Sequence, residues 1–285
     1  MIHDSVDKVK TGKTSCGSSH GQDPQQRLVQ ESLAKIKHKI LVMSGKGGVG
    51  KSSIAANIAV ILANKGYQVG LMDVDVHGPS IAQIMGLTGL LDVTQDKRLI
   101  PVPVKENLKV ISMQSLMQEK NQAVIWRGPV KANIIHQFIG NVQWGNLDFL
   151  VIDSPPGTGD EPLTVVQAIK DARSVIITTP QEVALADVRK SINFCKTVNV
   201  DPLGLIENMG PFTCPGCNIK ISLFKSGGGI KTAQEMDIPF LGTLPFEPHV
   251  VEACDDGKPI ADETGKSEFT EALTRIVDTM IKALP

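Results

Sequence analysis

A single α/β domain on a mostly parallel, doubly wound sheet, with helices on both faces, is the fold this sequence predicts. Three observations carry that expectation. Short runs rich in Val, Ile and Leu recur along the chain, near-continuous as expected for strands buried on both faces. Segments with apolar residues at helical spacing lie between them, and strand–helix alternation is the mark of a parallel sheet. The stretch "GKGGVGKS" (45–52) follows the first run and opens the first helical segment.

Taken in order, residues 1 to about 35 are polar, contain Gly, Ser and Gln, and lack periodicity; they are expected to form a mobile leader. Residues 36–285 are expected to form the domain. Its strands are predicted at "ILVMS" (40–44), "VGLMD" (69–73), "LKVIS" (108–112), "FLVID" (149–153), "SVIITT" (174–179), "LGLIEN" (203–208) and "FLGTLP" (240–245). Helical spacing marks "SSIAANIAVILANKG" and "DVRKSINFCKTVN". Residues 210–229, "GPFTCPGCNIKISLFKSGGG", break the rhythm between two late strands and read as a functional insertion. The C-terminal segment places Phe269, Leu273, Ile276, Val277, Met280, Ile281 and Leu284 on one face of an amphipathic helix.

The totals exclude several classes. The chain has 285 residues with no internal repeat and no dividing linker, so one domain fits better than two. Lys and Arg number 29 against 30 Asp and Glu, a balance that argues against a nucleic-acid coat or a polybasic membrane binder. No apolar run approaches the roughly 18 residues of a membrane-spanning helix, and the N-terminus lacks the apolar core of a secretory signal. A cytoplasmic location is expected. Five cysteines (Cys16, Cys195, Cys214, Cys217 and Cys254) are too few and scattered to staple the chain. A close pair such as Cys214 and Cys217 in a reducing compartment suggests metal or redox chemistry first.

The segment 45–52 fits the pattern G-x-x-x-x-G-K-[ST], with a strand before it and a helix after it. Glycines allow successive N–H groups to curl round an anion, and the helix N-terminus adds partial positive charge there. Gly45, Lys46, Gly47, Gly48, Val49, Gly50, Lys51, Ser52 and Ser53 are therefore expected to hold ATP. Lys51 would reach the β- and γ-phosphates, and the Ser52 hydroxyl would bind Mg²⁺. Without ligand, Lys51 is expected to face solvent. "LMDVDVHGPS" (71–80) ends a strand with Asp73 and Asp75, and "LDFLVIDSPPGTGD" (147–160) ends one with Asp153. Carboxylates after apolar strands suit a hydrated Mg²⁺. Asp75 is the candidate for orienting the attacking water and Asp153 the outer magnesium partner. Capping of a following helix competes with these roles, most seriously at Asp73.

Cys214 and Cys217 enclose "PG", which favours a turn that aims two sulfurs at one ion. A cluster, a zinc ion or a redox disulfide all suit the pair alone. Structural zinc and [4Fe–4S] sites take four ligands, and a twofold dimer supplies four from two copies. Thiolates suit iron–sulfur and zinc alike. Cys195 reads as core, Cys16, Cys254 and His77 as bystanders, and Trp126 and Trp144 as packing residues.

The lysine directly after the first glycine, Lys46, resembles the deviant phosphate loop of the nitrogenase iron protein and the MinD/ParA ATPases. That resemblance implies that Lys46 reaches the partner's phosphates across a nucleotide-sandwiching dimer. "GKGGVGKS", "DVDVHGPS", "WRGP" (126–129), "WGNLDFLVIDSPPGTGD" (144–160), "ENMGPFTCPGC" (207–217) and "FKSGGG" (224–229) together resemble the Mrp/ApbC family of ATPases that carry or assemble iron–sulfur clusters. The likeness runs from about residue 36 to about 262. It implies a homodimer with a labile [4Fe–4S] cluster on Cys214 and Cys217, upstream assembly machinery, and apo iron–sulfur proteins as recipients. It also implies that Asn208 contacts adenine and that Pro245 lines the same pocket. The four-cysteine N-terminal motif of the eukaryotic branch has no counterpart, since the leader holds only Cys16. Competing readings are a MinD/ParA-type spatial regulator and a zinc-bridged scaffold. A membrane-targeting helix should be basic; here Lys266, Arg275 and Lys282 meet Glu268, Glu271 and Asp278. No membrane or nucleic-acid partner is expected, and the helix should pack on the sheet.

Overall fold

The computed structural model describes residues 24–76, 78–116, 128–262 and 267–285. Cys16, His77, Trp126 and Lys266 lie outside them, as does the leader up to residue 23. The central strands are β1 (Ile36–Ser44), β2 (Val69–Asp73), β4 (Leu108–Ser112), β5 (Leu147–Asp153), β6 (Arg173–Thr178), β7 (Pro202–Gly210) and β10 (Phe240–Pro245). With β3 (Val102–Lys105) they form one sheet in the order β10-β7-β6-β1-β5-β2-β4-β3. Every pairing is parallel except β3 with β4. All seven expected strands are present. The edge strand β3 was not foreseen, because its Pro103 and half-buried residues carry no core-strand pattern.

The near-continuous apolar runs feed two cores by alternation, since successive strand side chains point to opposite faces. Ile40, Val42, Leu71, Val151 and Val175 face one layer. Leu41, Met43, Met72, Ile152 and Ile176 face the other. The first layer is filled by α2 (Lys51–Asn64), which is apolar nearly all round. It is closed by α9 (Glu268–Lys282) through Phe269, Leu273, Ile276, Val277 and Met280, so the C-terminal helix packs on the sheet as expected. The second layer receives α4 (Gly128–Asn141), α5 (Asp160–Ala168) and α6 (Glu182–Thr197). Trp144 and Cys195 are buried there. The remaining helices are α3 (Ile81–Ile84), α7 (Gly228–Glu235) and α8 (Pro248–Asp255).

One expectation is corrected. Residues 24–33, assigned to the leader, form the helix α1 (Pro24–Leu33). Val29 and Leu33, four apart, are buried against the α4 side of the second core, and the Ser32 hydroxyl donates to the Val142 carbonyl at 2.7 Å. Three apolar side chains, Leu28, Val29 and Leu33, suffice on a mostly polar helix once a partner helix faces them.

Candidate functional site

Parallel strands deliver their C-terminal ends to one edge of the sheet, where ligand loops collect. Register sets Asp73 of β2 beside Asp153 of β5, and Val42 of β1 beside Asp153 on its other side. The loop after β1 leads through Gly50, at φ 83°, into α2. A Cβ at Gly50 would meet the Asn208 amide at 2.3 Å, and one at Gly45 would lie 2.5 Å from the Asp187 backbone of α6. Glycine is thus required at Gly45 for close packing and at Gly50 for backbone conformation too.

Lys51 does not face solvent. It is 7% exposed, and its Nζ donates to Asp153 Oδ1 at 2.5 Å, with the Ser52 hydroxyl at 3.4 Å. A buried carboxylate needs such a partner, which explains the departure from the expectation of a free lysine. Burial pushes the Asp153 carboxyl up, Lys51 pulls it down, and the Asp75 charge adds a smaller upward push. The second oxygen, Asp153 Oδ2, is buried without a hydrogen-bond partner.

Asp73 is fully buried and its pKa is pushed up to about 8, by desolvation first and by the Asp153 charge second. It accepts the Asp75 N–H at 3.0 Å, the Ser112 hydroxyl at 2.9 Å and the N–H of Ile81, first residue of α3, at 3.2 Å. The capping alternative therefore describes Asp73. Asp75 is buried at the same edge, and its Oδ1 accepts the Gly78 N–H at 3.1 Å. Lys46 is half-buried, and no carboxylate among the described residues pairs with it.

Asn208, at the end of β7, donates from Nδ2 to the Val49 carbonyl at 2.9 Å. Asn208 and Pro245 line one pocket of about 200 Å³ with Gly50, Ser53, Phe246 and Cys254. Phe246 was not foreseen from the sequence, and Cys254, read there as a bystander, lines this pocket. Cys254 Sγ lies 3.2 Å from Ser53 Oγ, and burial pushes its thiol up. The available signal was the spacing of Val250 and Cys254, one helical turn apart after a strand end.

The insertion folds as a small hairpin of β8 (Phe212–Thr213) and β9 (Lys220–Ile221). Cys214 N–H donates to the Ile219 carbonyl at 3.0 Å, and Asn218 N–H, at φ 56°, returns to the Cys214 carbonyl at 2.8 Å. The turn aims the N–H groups of Gly216 and Cys217 at the Cys214 sulfur, with the Cys217 thiol, and these lower the Cys214 pKa. Cys214 is half-buried and Cys217 exposed. No group of three or more His, Cys, Asp or Glu among the described residues could hold a metal ion. Each chain therefore offers two thiols at this place and no third ligand among those residues.

Comparison with known proteins agrees with this geometry. Residues 35–281 match the family described as ParA: NUBPL iron-transfer P-loop NTPase. An iron–sulfur cluster carrier protein of Methanocaldococcus jannaschii is 42% identical over 257 residues, 89% of each chain. One from Methanococcus maripaludis is 40% identical over 278 residues, 95% of this chain and 96% of that one. A nucleotide-binding protein from Archaeoglobus fulgidus, solved in complex with ADP, superposes with a TM-score of 0.73 at 38% identity. It covers 86% of this chain and 95% of its own. The MinD cell division ATPase of Pyrococcus furiosus shares the fold, at TM-score 0.59 and 20% identity over 86% of this chain and 99% of its own. With a family match over residues 35–281 and relatives at 42% and 40% identity, the chain belongs to the iron-transfer P-loop NTPases.

Proposed function

We propose that the protein binds and hydrolyses ATP and carries a labile [4Fe–4S] cluster at a homodimer interface, handing it to apo iron–sulfur proteins after loading by upstream assembly machinery. The observation that carries this reading is the pair of thiols, one exposed and one half-buried, on a hairpin that follows β7, the strand whose Asn208 holds the Val49 carbonyl, with the Cys214 pKa lowered. A [4Fe–4S] cluster takes four thiolates as a rule, and two copies related by a twofold axis supply them. The relatives named as cluster carriers, similar over nearly the whole chain, support the same cargo.

Residues Gly45 to Ser53 would cradle the phosphates, Lys51 turning from Asp153 to the β- and γ-oxygens. The adenine would enter the pocket of Asn208, Pro245 and Phe246. The residues fit Mg²⁺: the Ser52 hydroxyl beside Lys51 would hold it, and the unpartnered buried Asp153 Oδ2 would support it from the outer shell. When bound, Mg²⁺ would neutralise charge on the phosphates. Asp75 orients the attacking water, and the partner's Lys46 stabilises the charge that develops on the γ-phosphate.

Among the described residues no helix is long and apolar enough to cross a membrane. The basic residues of α9, Arg275 and Lys282, are offset by Glu268, Glu271 and Asp278, which disfavours membrane targeting; we place the protein in the cytoplasm, acting without membrane or nucleic acid. Anaerobic reconstitution followed by mixing with an apo [4Fe–4S] enzyme tests the function. Restored enzyme activity, matched by loss of iron from the carrier, is expected. A protein that binds only zinc and restores nothing would instead be a nucleotide-dependent scaffold.

A further inference from the structure

The cysteine hairpin has few ties to the body of the molecule. Both residues of β9 are exposed, as is Cys217, and β8 is only half-buried. Besides one hydrogen bond, from the Thr213 hydroxyl to Glu268 Oε2 of α9 at 3.1 Å, its anchors are aromatic. The Phe246 ring meets Phe212 edge-on, with centroids 6.3 Å apart and planes at 68°. It meets Phe224 in the same way at 6.1 Å and 70°. Phe212 precedes Cys214 by two residues on β8, and Phe224 lies where the insertion returns towards α7. Phe246 also lines the pocket shared by Asn208, Gly50 and Ser53. One ring thus belongs to both places. A second tie runs through neighbours on β7. Asn208 holds the Val49 carbonyl of the phosphate loop. Buried Glu207 accepts the Gly227 and Gly229 N–H groups at the start of α7, where the insertion ends.

We infer that Phe246 is a positioning residue that couples occupancy of the nucleotide pocket to the geometry of the Cys214–Cys217 turn, a role that rests on the nucleotide and cluster reading above. Edge-to-face contacts are directional. A base packed on Phe246 fixes the ring, and the fixed ring orders Phe212 and Phe224 and with them the hairpin. A ligand shifts a conformational equilibrium only through contacts that differ between the two arrangements, and this ring provides such a contact. Coupling is reciprocal, so loading the cysteines alters nucleotide affinity by the same factor.

Alkylation of Cys214 reads the turn directly, because the thiol is half-buried within it and its backbone closes the turn through Ile219 and Asn218. The rate is followed at one fixed pH on cluster-free full-length protein, with the site assigned by mass spectrometry. Each variant is measured with and without MgADP at a concentration shown by titration to saturate it. In the wild type the rate should fall about fivefold with nucleotide bound, as the half-buried thiol is held in an ordered turn. Phe246→Ala should abolish the response. Phe212→Leu lies outside the pocket and should bind nucleotide yet lose the response, while Phe212→Tyr, which keeps the ring, should retain it. A wild-type rate unchanged by bound nucleotide, or a full response in Phe212→Leu, would overturn the coupling and leave the cluster-carrier reading standing. A wild type that takes up neither nucleotide nor cluster would remove that reading and the coupling with it.

Discussion

At the scale of single residues, Lys51 and Asp153 hold each other, and that pair changes what a substitution does. Lys51→Ala removes the cation that would meet the β/γ-phosphates, so ATP affinity by calorimetry should collapse. It also strands a fully buried carboxylate. Breaking a buried pair in this way costs about 3–5 kcal/mol unless the carboxylate protonates, so stability should drop at neutral pH and recover partly in acid. Unchanged ATP affinity would remove the phosphate-site assignment. Lys46 is a different case. It has no carboxylate partner among the described residues, so Lys46→Ala should leave the fold and nucleotide binding largely intact. Loss of one electrostatic contact to developing charge should slow hydrolysis about 10²-fold. A dimer-competent Lys46→Ala protein hydrolysing ATP at the wild-type rate would contradict the trans role.

Asp73 gives a pH signature with a definite sign. Its folded pKa of about 8 lies above the ordinary 3.8, so the folded state holds this proton more tightly. Its stability contribution is full below the unfolded value and is lost as pH rises from about 4 to about 8. Asp73→Asn removes that titration and should flatten the dependence of unfolding free energy on pH over this window. An equally steep profile in the variant would show that the carboxyl is not held protonated.

At the scale of elements, the strands were legible because each is buried on both faces and needs apolar residues at every position. The edge strand β3 and the helix α1 were not, for the opposite reason: each is anchored by a few side chains whose partners lie far off in sequence. Leu33 of α1 is 6% exposed within the second core. Leu33→Ala should therefore cost roughly 2–5 kcal/mol by urea denaturation, whereas a cost near zero would mean α1 is not part of the folded unit. The phosphate loop was readable from spacing alone, since its glycines and lysine must be local. The Lys51–Asp153 pair, 102 positions apart, and the contacts of Phe246 were not, because only the parallel register and the β10 end bring them together.

For the whole molecule, the central claim is that two copies of one hairpin complete a cluster site beside the nucleotide. Changing Cys214 and Cys217 together to Ser replaces thiolates with poor ligands for iron or zinc. The phosphate loop, Asp75 and Asp153 lie on other elements, so MgATP binding should persist. The most direct measurement is iron, sulfide and zinc per dimer after anaerobic reconstitution, with nucleotide binding followed on the same samples. The wild type should approach about four irons and four sulfides per dimer with absorbance near roughly 400 nm, and the double variant should hold neither while still binding ATP. A double variant that keeps the chromophore, or a wild type that takes up only about one zinc per dimer, would contradict the account.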